Sequence, residues 1–190
     1  MARPRKHDQQ DVLDAVERVI ARDGVLTVDA VAREAGVSKA VVLYDYTSKR
    51  ELLAALVERT IAADNQFNED CSAPFKERAD ATLLGRIEAA RRSPVLPDGN
   101  PAVLSLIAAL MQDADLRQKF RDNQASLRDR IFETATDPRS TRLAWLALEG
   151  LKFQQHMNLI DWTEDQAAEI LSDIQQLALS GQALPAQRHD

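Results

Sequence analysis

The sequence predicts an all-α protein, with an N-terminal three-helix unit holding a helix-turn-helix and a larger helical C-terminal domain. Three observations carry this. Apolar residues recur at three- and four-residue spacing, as in Val12, Leu13, Val16, Val19 and Ile20, and no stretch shows the alternation of a strand. Cap residues, prolines and glycines punctuate the chain at helix-length intervals. The stretch from Thr27 to Leu53, TVDAVAREAGVSKAVVLYDYTSKRELL, reads as two short helices, a tight turn between them, and the start of a longer helix.

Helix 1 is expected from about Asp8 to Arg22, with Asp8, Asp11 and Asp14 favouring its N-terminal end and Gly24 ending it. In the next helix Val28, Val31, Ala32 and Ala35 share one face. Gly36 stands where the chain must turn, and glycine accepts positive φ without steric cost. Val37 plugs the turn, and Ser38 is a natural N-cap for a helix to about Asp45. Val42 and Tyr46 can face the preceding helix, leaving Lys39, Ala40, Val41, Leu43 and Tyr44 outside. Ser48 and Glu51 have the spacing of a capping box. A helical hairpin with a glycine turn is common. Here the small–Gly–apolar order of the turn, the lysine and tyrosine on the outer face, and the capped helix starting at Lys49 favour the arrangement that lays a helix into the DNA major groove.

The run VSKAVVLYDYTSKREL, with Thr27, Val31-Ala32 and Ala35-Gly36 before it, resembles the tetracycline-repressor (TetR) family of bacterial transcriptional regulators, over roughly residues 8 to 60. The resemblance implies a reading helix in which Lys39 donates to guanine and Ala40 and Val41 touch thymine methyl groups. It places Thr27, Ser38, Tyr44 and Lys49 at phosphates, the first two through hydroxyls and helix N-terminal N–H groups. Leu43 stands where the family often has tyrosine, and Asp45 where it often has histidine or tyrosine. Both departures bear on operator sequence. An acid near phosphates is unfavourable, so Asp45 faces away from them or accepts from a base amine.

Helix 4 is expected from about residue 48 to Asn68, carrying Leu52, Leu53, Leu56, Val57, Ile61 and Phe67 and linking a DNA-binding domain (1–50) to a ligand-binding and dimerisation domain (51–190). Pro74 can open a helix to about Arg92. After a proline-rich loop, Asn100 and Pro101 open another, through Val103 to Met111. Further helices are expected from Ala114 to Thr134, from Pro138 to Leu159, and from Glu164 to Leu179. The last carries a Thr163/Gln166 capping box and is stopped by Gly181.

The chain has 190 residues and net charge −6. The first sixty hold ten basic and ten acidic residues, so the acidic excess lies beyond them, and a basic arm, Arg3-Pro-Arg5-Lys6-His7, opens the chain. DNA affinity depends on local phosphate contacts, so distal acidity does not forbid it. The arm reads equally as a solvated tail. One cysteine, Cys71, excludes a disulfide framework or paired-cysteine metal site. No signal peptide or spanning segment is present, so a soluble cytoplasmic protein is expected, with no metal or cofactor. The histidines are far apart, and no HExxH, Walker, GxSxG or dinucleotide motif occurs, so no catalytic residue is assigned.

A single reading helix covers little DNA, so a homodimer on a palindromic operator is expected. The helix from Pro138 is apolar almost all round and the last helix has a clean stripe. By resemblance the two form a four-helix interface through Leu143, Leu146, Leu151, Ile170, Ile174 and Leu177. The alternative is that both stripes serve the monomer's own core. The resemblance also implies a small-molecule effector bound in the distal domain, releasing a repressor from DNA. Met111, Gln124, Trp145, Glu149, Phe153 and His156 are the candidate pocket residues, as adaptable apolar surface and polar handles. Taken singly, Gln124 and Glu149 read first as surface or interface residues, and His156 as a satisfied helix-end histidine. A second class remains open: a helical interaction protein with degraded DNA binding, favoured by Asp45 and the net-neutral N-terminal segment.

Overall fold

In a computed structural model the described residues are 9–93 and 101–180. Among them the elements are α1 (Gln9–Asp23), α2 (Val28–Ala35), α3 (Lys39–Asp45), α4 (Lys49–Ser72), a 3-10 turn (Ala73–Phe75), α5 (Ala81–Arg92), α6 (Pro101–Gln112), α7 (Ala114–Glu133), α8 (Pro138–His156) and α9 (Glu164–Ser180), with no strand. The basic arm, Asn100 as a cap and Gly181 as a stop lie outside the described residues. No described helix is long and apolar enough to cross a membrane.

The chain forms two compact units. The first combines residues up to 62 with 101–119, and the second combines 63–100 with residues from 120 on. This division differs from a boundary near residue 50, because α6 and the start of α7 pack on α4. Val57, Ala109 and Leu116 are buried together, with Ala54, Ile61, Leu106 and Leu110 against them. Such packing joins residues some fifty positions apart, beyond what local spacing shows.

The core of the first unit is the α1 stripe of Val12, Ala15, Val16 and Val19 against Leu26, Val31, Ala32, Val42, Tyr46, Leu52 and Leu56. Arg59 of α4 binds Asp14 and Glu17 of α1 at 2.6 and 2.7 Å. Arg18 and Arg22 each reach Glu34 of α2 at 2.8 Å. The core of the second unit joins Leu83 and Ile87 of α5, Leu127 and Ile131 of α7, Ala144, Leu148 and Leu151 of α8, and Leu171, Ile174 and Ala178 of α9.

Two local features depart from the sequence reading. Helix α4 runs on to Ser72, and Pro74 does not open a helix: it sits in a single 3-10 turn, and α5 begins only at Ala81. The reason is Asp80. It adopts φ 61°, its N–H donates to Thr134 O at 3.2 Å, and its buried carboxylate accepts from Thr136 Oγ1 at 2.9 Å and Thr141 Oγ1 at 3.0 Å. These bonds hold the chain in a left-handed turn that no helix could pass through. Helix α8 also ends three residues early, at His156, and Asn158 takes φ 48° just beyond it.

Candidate functional site

The helix-turn-helix is built from caps. Thr27 Oγ1 accepts from Ala30 N–H at 3.1 Å and starts α2. Gly36, at φ 67°, ends α2, and its N–H and that of Val37 donate to Arg33 and Ala32 carbonyls. Ser38 Oγ accepts from Val41 N–H at 3.3 Å and starts α3. At the start of α4, Glu51 N–H donates to Ser48 Oγ at 3.2 Å, while the Glu51 carboxylate accepts from Thr47 N–H at 2.7 Å, one residue earlier than a capping box reaches.

Val42 and Tyr46 are buried, which fixes the rotation of α3. Lys39 and Ala40 are exposed, Val41 and Leu43 half-buried, and Tyr44 is 88% exposed. Lys49 is exposed at the first position of α4, and Thr27 and Ser38 are exposed at the helix starts. Of the residues expected to meet DNA, Thr27, Ser38, Lys39, Ala40, Tyr44 and Lys49 are exposed, while Val41 and Leu43 are partly covered. Lys39 Nζ donates to Asp29 Oδ2 of α2 at 3.0 Å, a pairing that the sequence reading missed. Its signal was an acid, Asp29, in the first turn of α2.

At the foot of α4, Arg50 grips the end of α6 and the start of α7. Its Nε donates to Asp113 Oδ2, and its Nη2 donates to Asp113 Oδ1 at 3.0 Å and to Asp115 Oδ2 at 2.6 Å. Asp113 also caps α7, accepting from the N–H groups of Asp115 and Leu116 at 3.0 and 3.2 Å.

In the second unit, four residues of α8 share a face at helical spacing: Trp145, Glu149, Lys152 and His156. Arg86 of α5, only 4% exposed, meets this face. Its Nη2 donates to Glu149 Oε1 at 2.8 Å, and its Nη1 lies 3.8 Å from Asp64 of α4. Arg86 Nε and Trp145 Nε1 are buried N–H donors without a hydrogen-bond partner. The indole N–H lies close enough to Glu149 to favour its ionised form, but short of hydrogen-bond geometry. Burial opposes ionisation of Glu149, yet Lys152 and Arg86 outweigh it and hold the carboxyl below its ordinary range. Burial, and then Arg86, lower the pKa of Lys152. Burial, and then Lys152, lower that of His156.

Of the expected pocket residues, the structure thus brings Trp145, Glu149 and His156 together. Gln124 is half-buried on α7, and Phe153 is 50% exposed. Met111 belongs to the other compact unit and is 75% exposed. Arg86 and Lys152 were missed: Arg86 lies 63 residues from Glu149, and Lys152 shows only as one more position on the α8 face.

The apolar positions of α8 split into two stripes. Ala144, Leu148 and Leu151 face the unit's own core, while Leu146 (58% exposed) and Phe153 face solvent, with the exposed Gly150 between them. Leu151 and Ile174, expected at a dimer interface, are buried in the core of the chain itself. Leu143, Ile170 and Leu177 are half-buried. A helix apolar on two sides does not reveal from sequence which side is internal. Among the described residues no group of three His, Cys, Asp or Glu is placed to hold a metal.

A capped helix-turn-helix with a solvent-facing second helix, joined to a helical C-terminal unit, defines a helix-turn-helix DNA-binding regulator. The chain belongs to the TetR family of transcriptional regulators. Residues 12–56 match the model of "Bacterial regulatory proteins, tetR family", and residues 80–179 match "Tetracyclin repressor-like, C-terminal domain". The fold is similar to that of a TetR transcription regulator from Haloarcula marismortui (TM-score 0.68, 19% identity, covering 89% of this chain and 95% of that one). It is also similar to a putative TetR-family regulator from Rhodococcus sp. (0.63, 21%, 89% and 97%) and to the multidrug binding protein EbrR complexed with imidazole (0.61, 22%, 90% and 93%). A comparison with curated proteins gives no match.

Proposed function

We propose that this regulator is a repressor that binds a palindromic operator as a homodimer and is released by a small-molecule effector. Residues 1–50 read the DNA, and 51–190 bind the effector and the partner subunit. The observation that carries the reading is the outer face of α3: Lys39, Ala40 and Tyr44 stand in solvent on a helix whose other face is locked by Val42 and Tyr46. Lys39, Ala40, Val41 and Leu43 then meet base edges, and Thr27, Ser38, Tyr44 and Lys49 meet phosphates. The partner subunit covers Leu146, Gly150 and Phe153 of α8, with Ile170 and Leu177 of α9 beside them. Effector release is supported by two continuous helices, α4 and α7, each of which contributes residues to both compact units.

Fluorescence anisotropy with fragments from around the protein's own coding region tests this. Saturable binding that weakens steeply with salt is expected, and Lys49→Ala reduces the salt slope by about 1 without changing sequence preference. Absence of salt-sensitive binding to any fragment overturns the reading.

A further inference from the structure

We propose that Asp29 reads the operator together with Lys39, the two forming a donor–acceptor pair matched to one G·C base pair. Lys39 donates to the guanine, and the Asp29 carboxylate accepts from the N4 amino group of the paired cytosine. The proposal rests on the DNA-binding reading above and assigns that face a base pair.

The pair stands at two helix starts. Asp29 is the second residue of α2, and Lys39 is the first residue of α3. Buried Val31, Ala32 and Val42, with the turn bond from Val37 N–H to Ala32 O at 3.0 Å, fix one helix against the other. Lys39 Nζ lies 3.0 Å from Asp29 Oδ2, and both side chains are more than half exposed. An ammonium that meets a base edge from this position brings the carboxylate with it. The helix dipole accounts for an acid in the first turn of α2. It does not account for the ammonium carried to that acid from the next helix.

Counting donors and acceptors selects the base pair. An ammonium has three N–H donors. Asp29 Oδ2 takes one, and guanine presents two acceptors in the major groove, N7 and O6, for the others. Asp29 Oδ1 has no hydrogen-bond partner among the described residues, and an ionised carboxylate can only accept. Next to guanine O6, across the pair, is cytosine N4, a donor. The alternatives fit less well. An A·T pair sets adenine N6, a donor, against the ammonium and thymine O4, an acceptor, against the carboxylate. A C·G pair makes the same two mismatches. A T·A pair keeps the order of acceptor and donor, but it offers the ammonium one acceptor instead of two and brings adenine N7 towards the carboxylate.

The test selects binding sites for the full chain from a pool of random duplexes. Anisotropy then compares the selected site with its single-pair variants. The pair in question is the one at which Lys39→Ala relaxes preference. A G·C pair is expected there, with T·A weakened about fivefold and A·T and C·G at least about tenfold. Asp29→Ala is expected to narrow the ratio of G·C to A·T affinity about fivefold, by tightening the A·T site. Asp29→Asn, whose amide can donate to thymine O4, is expected to narrow it as well, and circular dichroism checks the fold of both. N4-methylcytosine opposite the guanine removes the groove-facing N–H. It is expected to weaken the wild type and leave Asp29→Ala unchanged. Preference relaxed by Lys39→Ala but untouched in both Asp29 variants overturns the role of Asp29 and leaves the DNA-binding reading standing. A pair other than G·C at that place, or none that responds to Lys39→Ala, overturns the assignment. No selected sequence and no salt-sensitive binding overturn both readings.

Discussion

Arg50, one residue after Lys49 at the start of α4, holds Asp113 through two guanidinium N–H groups and reaches Asp115 with one of them. It thereby fastens the helix that carries a candidate phosphate contact to the junction of α6 and α7.

This tie has a pH signature. Arg50, and then the N–H groups of Leu116 and Asp115, outweigh partial desolvation and hold the Asp113 pKa at about 2, below the roughly 3.9 of an unfolded aspartate. The folded value is the lower one. The tie therefore contributes stability above pH about 4, and that contribution is lost as pH falls towards about 2. Asp113→Asn should lower the thermal midpoint near neutrality and flatten its acid dependence in that window. Circular dichroism melts across the pH range check this; parallel wild-type and variant curves would refute it.

Lys39 is paired with Asp29 in the free protein, and both side chains are more than half exposed. A base must compete with that carboxylate for the ammonium. An exposed pair is worth about 0–1 kcal/mol, so Asp29→Asn should tighten DNA binding by a few-fold and loosen its sequence preference. Lys39→Ala should relax preference at one base position. Anisotropy with an operator and its single-base variants measures both.

A Cβ at Gly150 would meet no atom within 4 Å in the single chain. Gly150→Leu and Leu146→Glu should therefore leave the fold of one subunit intact while shifting the species from dimer to monomer. Sedimentation velocity, with circular dichroism as a check on folding, tests this. Two dimeric variants would place the interface elsewhere.

Gly85 presents the opposite case. A Cβ there would come within 2.5 Å of Ser72 Cβ and 2.6 Å of its Cα, so the close approach of α5 to the end of α4 requires glycine. Gly85→Ala should destabilise by about 1–3 kcal/mol through overpacking, measured by urea denaturation. An unchanged midpoint would show that Ser72 moves aside freely.

What the sequence made legible was local. Thr27, Gly36, Ser38 and Thr163 with Gln166 act within three or four residues of themselves. Gln166 N–H donates to Thr163 Oγ1 at 3.2 Å, and Thr163 N–H donates to Gln166 Oε1 at 3.1 Å. The exposure of Lys39, Ala40 and Tyr44 on α3 followed from Val42 and Tyr46 in the same way, while Val41 and Leu43, expected outside, are half-buried. What escaped depends on contacts distant in sequence. Asp80 turned the chain where Pro74 suggested a helix, because its partners lie at Thr134, Thr136 and Thr141. Arg86 carried no signal in the sequence, because its partner Glu149 lies 63 residues away. Leu151 and Leu146 were indistinguishable as apolar letters, and only the packing of α9 against α8 sorted one inward and left the other outside.

The fastening of Asp80 to Thr141 has a mechanical consequence. It pins the first residues of α5 to the first turn of α8, while Arg86 and Glu149 meet further along the same two rods. Two separate ties, one at the start of both helices and one further along, therefore fix α5 against α8 in both register and angle.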